Sequence, residues 1–290
     1  MSTITGHTGL TALLGSPVAH SISPLMHNEA FRLLELDYVY LCFDVNEETL
    51  PAAVAGLRTC GIRGFNLTMP NKNKIVELLD ELSPEAQLIG AVNTVLNDNG
   101  KLIGYNTDGY GFMQSVRDAG HDVTNKNITV MGVGGASMAI CAQSALDGAS
   151  SVHIFARRTS RYWNRTQKFA ENLTAKTGCQ VCLFDNDDHT ALKDSIAQSY
   201  LLINATSVGM VPDIDDTIIK DTSLFHPELV VADVVYEPQE TRLLREAKAA
   251  GCQTFNGMYM LLHQGAKAFQ IWTGQEMPVS VIKEKYFSVK

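Results

Sequence analysis

Asn127-Ile-Thr-Val-Met-Gly-Val-Gly-Gly-Ala-Ser-Met-Ala139 is an apolar, strand-like run that ends in clustered glycines and opens onto small, helix-forming residues. Gly132, Gly134 and Gly135 let the backbone turn sharply and approach a pyrophosphate, which the N–H groups and dipole of the following helix would hold. The usual G-x-G-x-x-G/A pattern is imperfect, because its last small position is Ser137. Context compensates: Ser151-Val-His-Ile-Phe155 begins where a helix of roughly a dozen residues plus turns would return the chain, as a strand–helix–strand unit requires. The stretch predicts a dinucleotide turn, with an ordinary glycine turn as the alternative.

Working outward, strand-like runs at Val152–Phe155, Leu201–Asn204 and Leu229–Val235 fit a doubly wound Rossmann-type nucleotide-binding domain over residues 110–255. Upstream, strand and helix patterns alternate: Leu10–Gly15, a helix from Pro24 to about Leu36, Tyr38–Phe43, a helix Glu47–Gly56, Gly64–Thr68 and a helix Lys74–Leu79. Asn99-Gly100 predicts a hairpin between Thr94–Leu96 and Leu102–Tyr105. The amphipathic segment Met258–Thr273, with Leu261, Leu262, Ala266 and Phe269 near helical spacing, is predicted to return to the first domain. The expected fold class is therefore α/β with two domains, a substrate-binding and catalytic domain of residues 1–109 and 256–290 and the Rossmann domain between.

Composition narrows the partners. A 290-residue chain with 45% hydrophobic and 19% charged residues can bury a sizeable core. A net charge of −8 without a long basic run argues against nucleic acid and anionic membranes, leaving a small-molecule partner and a monomer or homodimer. No apolar stretch reaches about 18 residues and the N-terminus lacks a basic signal start, so a cytoplasmic protein is expected. Six cysteines are too sparse for a disulfide framework, and Cys179-Gln-Val-Cys182 reads as well as alternating strand positions as a redox motif. The eight histidines lack His-x-x-x-His spacing and Asp185-Asn-Asp-Asp-His189 reads as a polar loop, so no metal site is expected.

Hydride transfer to a dinucleotide requires a group that moves the proton of an alcohol. Asn66-Leu-Thr-Met-Pro-Asn-Lys72 brings a strand end, a hydroxyl, a proline turn and a lysine together, and Asn106-Thr-Asp108 supplies amide, hydroxyl and carboxylate. Desolvation would help such a lysine accept a proton, while a paired aspartate would orient the ammonium and oppose deprotonation. Taken alone, Lys72 reads as a surface lysine and Asp108 as a turn or helix-cap residue.

Taken in order, Ser21-Ile-Ser-Pro24, Asn66-Leu-Thr-Met-Pro-Asn-Lys72, Gly90-Ala-Val-Asn-Thr94, Asn106-Thr-Asp-Gly109, Gly132-Val-Gly-Gly-Ala136, Asn204-Ala-Thr-Ser-Val-Gly-Met210 and Gln264-Gly-Ala266 resemble the shikimate dehydrogenase family, closest to its quinate/shikimate dehydrogenase branch. The likeness spans about residues 10 to 275. It implies reversible oxidation of the 3-hydroxyl of shikimate in aromatic amino-acid (chorismate) biosynthesis, with Lys72 and Asp108 as the catalytic pair. It also implies that Ser21 and Ser23 hold the substrate carboxylate, while Thr68, Asn93, Tyr236 and Gln264 complete the pocket. From the residues alone, Ser21 and Ser23 could equally start the helix at Pro24, and Asn93 could end a strand.

The cofactor positions implied are Gly132, Val133, Gly134, Gly135 and Ala136 at the turn, Ala156, Arg157, Arg158 and Thr159 after the second strand, and Ser207, Val235 and Gly257 further on. No acidic residue follows Phe155, and two guanidiniums could bond the 2′-phosphate of NADP, so the pair favours NADP and is compatible with NAD. Ala156 stands where the family commonly has asparagine, and Thr159 where relatives that accept NAD carry aspartate. Arginines can also stack on adenine without contacting the phosphate. The alternatives are a quinate/shikimate dehydrogenase of quinate use with NAD, and a non-catalytic sensor of either acid.

Overall fold

The computed structural model describes residues 4–287. Its contacts form two units, one running to Gly111 and resuming at Leu262, the other Phe112–Leu261. The first contains β1 (Gly9–Gly15), α1 (Ser23–Leu33), β2 (Tyr38–Asp44), α2 (Leu50–Thr59), β3 (Gly64–Leu67), β4 (Glu81–Leu82), α3 (Pro84–Ile89), β5 (Thr94–Asp98) and β6 (Lys101–Tyr105). Helix α4 (Asp108–Asp118) crosses into the second unit, which holds β7 (Asn127–Met131), α5 (Gly135–Leu146), β8 (Ser151–Ala156), α6 (Trp163–Thr177) and β9 (Gln180–Asp185). It continues through α7 (His189–Gln198), β10 (Leu201–Asn204), β11 (Val230–Asp233), α8 (Arg242–Ala249) and β12 (Gln253–Phe255). Helix α9 (Met258–Thr273) crosses back, and α10 (Val279–Tyr286) follows.

In the first unit the sheet order is β2-β1-β3-β5-β6-β4, and only β5 runs against the rest. Strand alternation sorts the side chains. Ala12, Leu14, Phe65 and Leu67 join one buried cluster with Leu50 and Val54 of α2. Asn66, between Phe65 and Leu67, must project from the opposite face. There His27 stacks on Tyr40, Phe31 packs on Phe269, and the Trp272 indole donates to the Val95 carbonyl at 2.9 Å. A side chain at Gly64 would overlap the Trp272 ring, so glycine permits this close seating of the C-terminal helix. Full burial of Phe31 and Phe269 contributes about 1.5–3 kcal/mol each.

Local boundaries depart from periodicity for identifiable reasons. Helix α1 stops at Leu33 instead of Leu36 because Glu35 turns left-handed (φ 52°) and the Leu36 N–H returns to the Phe31 carbonyl. Helix α2 begins at Leu50 instead of Glu47, since the Asn46 side chain takes the Glu48 and Thr49 N–H groups and Pro51 occupies the first turn. Lys74–Leu78 forms a 3₁₀ helix. Asn99 (φ 53°) and Gly100 (φ 92°) make the left-handed pair that joins β5 and β6.

The second unit is a wholly parallel sheet in the order β12-β11-β10-β7-β8-β9, the doubly wound order. Its strands β10 and β11 are buried throughout, as strands covered on both faces are. No described helix is long and apolar enough to cross a membrane.

His27 is expected to make the first unit acid-sensitive. Its imidazole is fully buried, neither ring nitrogen has a hydrogen-bond partner, and burial pushes its pKa down to about 3. The unfolded chain binds a proton near 6.5, the ordinary imidazole value, while the folded chain does not, so the contribution is complete above that pH and declines as pH falls toward 3. Between pH 7 and 5 wild type is expected to lose about 2 kcal/mol more than His27→Phe in urea unfolding. Parallel pH dependence in the two proteins would contradict this.

Candidate active site

The ends of β1, β3 and β6 lie at one edge of the first unit's sheet, and β5 starts there because it runs oppositely. The loops that follow or precede these ends carry the polar residues, at the carboxyl edge where α/β sheets commonly bind ligands. Lys72, after β3, is anchored by its carbonyl, which accepts from the Val92 N–H at 2.8 Å. Asp108 opens α4, and its N–H donates to the Asn106 side chain at 3.1 Å. Asn106 in turn donates to the Ala91 carbonyl at 3.0 Å. Three separate sequence motifs thus interlock through backbone groups before any charge is considered.

The Lys72 ammonium meets the Asp108 carboxylate at 2.6 Å, with side-chain exposures of 26% and 6%. The lysine side chain thus reaches solvent while the carboxylate that pairs with it is buried. Asn93 Nδ2 donates to the other Asp108 oxygen at 2.8 Å and to Gln264 Oε1 at 3.3 Å. Asn93 Oδ1 accepts from the Thr107 N–H at 2.8 Å, which fixes the amide's orientation. Lys72, Asp108, Asn93 and Gln264 are therefore one connected group, able to orient an ammonium and present directional polar contacts.

Ser21 and Ser23 sit at the start of α1. The Ser23 N–H donates to Ser21 Oγ at 3.2 Å, while the helix cap is Ile22 and Pro24 lies in the first turn. Neither serine is the cap itself. Thr68 follows β3, its methyl group lying where a side chain at Gly15 would have to go, so the two positions are sterically coupled. No direct bond between these three residues and the Lys72 group is observed among the described contacts. Tyr236, assigned by resemblance to the same pocket, belongs to the second unit and is 40% exposed.

At the glycine turn, Gly132 has φ 111°, and an added Cβ would lie 2.8 Å from Thr206 Cγ2 and 3.0 Å from the Ala205 carbonyl oxygen. Gly134 caps α5 without a side-chain bond, and Cβ atoms at Gly134 or Gly135 would meet nothing within 4 Å. The start of a twelve-residue helix is thus bare of side chains, a cradle fitted to a pyrophosphate. Ser137, the imperfect position of the motif, is buried and donates its hydroxyl to the Gly132 carbonyl, closing the turn. Val133 and Ala136 flank the cradle.

Ala156 is buried at the end of β8, and Arg157, Arg158 and Thr159 are exposed beyond it. The Arg158 guanidinium lies 4.6 Å over the Trp163 ring. Ser207 is exposed and Val235 buried. A side chain at Gly257 would overlap the Val234 carbonyl, so only glycine allows the start of α9 to pass there. The donor set and the cleared helix end fit a dinucleotide.

Sequence reasoning did not single out Asp233. It is fully buried and accepts from the Asn204 amide at 3.0 Å, the Val235 N–H at 3.0 Å and the Thr241 hydroxyl at 2.7 Å. Burial raises its carboxyl above the usual range. It ties the Asn204–Met210 loop to the Val235–Tyr236 turn. The spacing Asp-x-x-Tyr offered only a weak sign, because a strand-end aspartate is common in loops. Among the described residues no group of three or more His, Cys, Asp or Glu is placed to hold a metal ion. Cys179 and Cys182 are free thiols, and burial pushes Cys179 up to about 11, away from the reactive thiolate.

Residues 13–95 match the family model for the shikimate dehydrogenase substrate binding domain, and residues 257–285 that for the shikimate 5'-dehydrogenase C-terminal domain. Shikimate dehydrogenase (NADP(+)) of Listeria innocua is 51% identical over 284 residues, covering 98% of this chain and 97% of the relative. The crystal structure of shikimate 5-dehydrogenase from Listeria monocytogenes in complex with shikimate and NAD superimposes with a TM-score of 0.94 at 50% identity, over 98% of each chain. Quinate dehydrogenase from Corynebacterium glutamicum, solved in complex with NAD, is 31% identical with a TM-score of 0.85, over 97% of this chain and 99% of that one.

Proposed function

The chain belongs to the shikimate dehydrogenase family, and from that membership we propose that it oxidises shikimate reversibly to 3-dehydroshikimate with NADP, accepting NAD as well. The observation that carries the reading is the Lys72–Asp108 pair, 2.6 Å apart and joined by Asn93 to Gln264. In its neutral amine form Lys72 takes the proton of the reacting hydroxyl at Nζ and becomes the ammonium, which Asp108 holds in place. Partial exposure of Lys72 lets the proton pass to water between turnovers. Asn93, Gln264, Thr68 and Tyr236 hold the ring hydroxyls, and Ser21 and Ser23 the carboxylate. A ligand that covers these polar groups without pairing them costs about 1–3 kcal/mol for each.

NADP, when bound, supplies the hydride acceptor. Gly132, Gly134, Gly135 and the α5 N-terminus would hold its pyrophosphate, flanked by Val133 and Ala136, and Ser207, Val235 and Gly257 would contribute to the same cofactor site. Ala156 and Thr159 flank the two arginines. Because Arg158 is stacked on Trp163, Arg157 is assigned the 2′-phosphate and Arg158 a face of the adenine. The first unit is the substrate domain and the second the nucleotide domain of a cytoplasmic protein, monomeric or homodimeric. The likeness to a quinate dehydrogenase supports quinate as a second substrate.

Arg157→Ala is expected to weaken NADP about 10–100-fold while changing NAD little, as loss of a bond to a charged group of about 1.5–3 kcal/mol requires. Arg158→Ala is expected to weaken both similarly. Calorimetric titration of each variant with each dinucleotide checks the assignment, and equal loss of NADP and NAD in Arg157→Ala would remove the phosphate contact. Shikimate-dependent growth of nicotinamide absorbance tests the reaction itself.

A further inference from the structure

Tyr40, in the middle of β2, is wholly buried, and its ring stacks on His27 at 4.4 Å between centroids and 8° between planes. A phenol has one proton to give. Tyr40 gives it to Asn66 Oδ1 at 2.9 Å. The other end of the Asn66 amide is committed: Nδ2 donates to the Asn93 carbonyl at 3.1 Å and to Thr94 Oγ1 at 3.0 Å. Reversing that amide would set its oxygen against a carbonyl, so Oδ1 must face the phenol. Thr94 then donates to Asn93 Oδ1 at 3.0 Å, and Asn93 Nδ2 donates to Asp108 at 2.8 Å.

Every donor in this chain points the same way, Tyr40 to Asn66 to Thr94 to Asn93 to Asp108, and Lys72 closes on Asp108 from the far side. Asn66 is 5% exposed and Thr94 is wholly buried, so neither can draw a replacement partner readily from solvent. We propose that Tyr40 is a positioning residue: its hydroxyl is the donor that satisfies Asn66 Oδ1, whose direction the Asn93 carbonyl fixes, and it so braces the amide path that holds Asp108, and through it Lys72, in the reacting orientation. The proposal rests on the reading of Lys72 and Asp108 as the reacting pair. His27 supports the phenol as a flat, uncharged face.

The test uses Tyr40→Phe, which keeps the ring and its stack while removing one hydroxyl, Thr94→Val, which breaks the chain two links further on, and their combination. Each single variant is expected to lose roughly tenfold or more in kcat, with a smaller change in the KM for shikimate and unchanged NADP affinity, because a displaced reacting group can cost up to about a hundredfold. The double variant is expected to lose little more than either single one, since both cut the same chain. Side-chain amide NMR signals of Asn66 and Asn93 are expected to shift in Tyr40→Phe. Near-normal kcat in both single variants, or losses that multiply in the double, would overturn the proposal. Should wild type not turn over shikimate, the functional reading fails separately, and the amide signals decide: movement of both supports the positioning role, and unmoved signals overturn it.

Discussion

Lys72→Ala is expected to lose about 10²–10⁴ in kcat while keeping its fold and its affinity for NADP, the range contributed by a positioned acid or base. The Lys72 side chain is one-quarter exposed, and Asp108 retains the Asn93 amide when the lysine is gone. Leaving the carboxylate short of one partner costs about 1–3 kcal/mol of stability, too little to unfold a domain of ordinary stability. Lys72→Arg separates the two roles of the residue. A guanidinium can keep the ion pair with Asp108, yet it does not deprotonate in proteins. Arginine is therefore expected to restore thermal stability and leave kcat as low as alanine does. Turnover within a few-fold of wild type in either variant would remove Lys72 from the proton transfer.

The three glycines of the dinucleotide turn are expected to fail in two different ways. Gly132→Ala puts a Cβ into a left-handed backbone position and against Thr206 and the Ala205 carbonyl, so the second unit must distort. The expected loss is about 1–3 kcal/mol of stability from the backbone conformation, with more from the contact. Gly134→Ala and Gly135→Ala meet open space, and Gly134 has an ordinary extended backbone at φ −78° and ψ 179°. Those variants are expected to melt like wild type and still to lose roughly tenfold or more in NADP affinity, because the added methyl stands where the pyrophosphate must approach the helix N–H groups. Melting curves and titrations distinguish the two patterns. Unchanged NADP binding in Gly134→Ala and Gly135→Ala would move the cofactor away from this turn.

Much of this was legible in the sequence. The second unit was readable because its strands are buried on both faces and so appear as continuous apolar runs, and because the glycine cluster falls where the first strand of a parallel sheet meets its helix. The Asn99-Gly100 hairpin was equally plain. Helix ends were not: Glu35 takes a left-handed turn that no glycine announces, and the side chain of Asn46 delays the start of α2. Lys72 and Asp108 were visible as candidates, yet spacing alone could not bring together residues 36 apart. Tyr40 and Asn66 were hidden for another reason. In a strand they look like ordinary alternation, and only the register Asn66↔Thr94, with Tyr40 on the same face, reveals a buried polar path to Asp108.

The most direct test of the account is the initial rate of nicotinamide reduction with shikimate and with quinate, each with NADP and with NAD, on the wild-type protein. Turnover of shikimate, faster at limiting NADP than at limiting NAD, is the predicted result. Binding of shikimate and dinucleotide without reduction in any of the four combinations would contradict it and make the protein a ligand sensor.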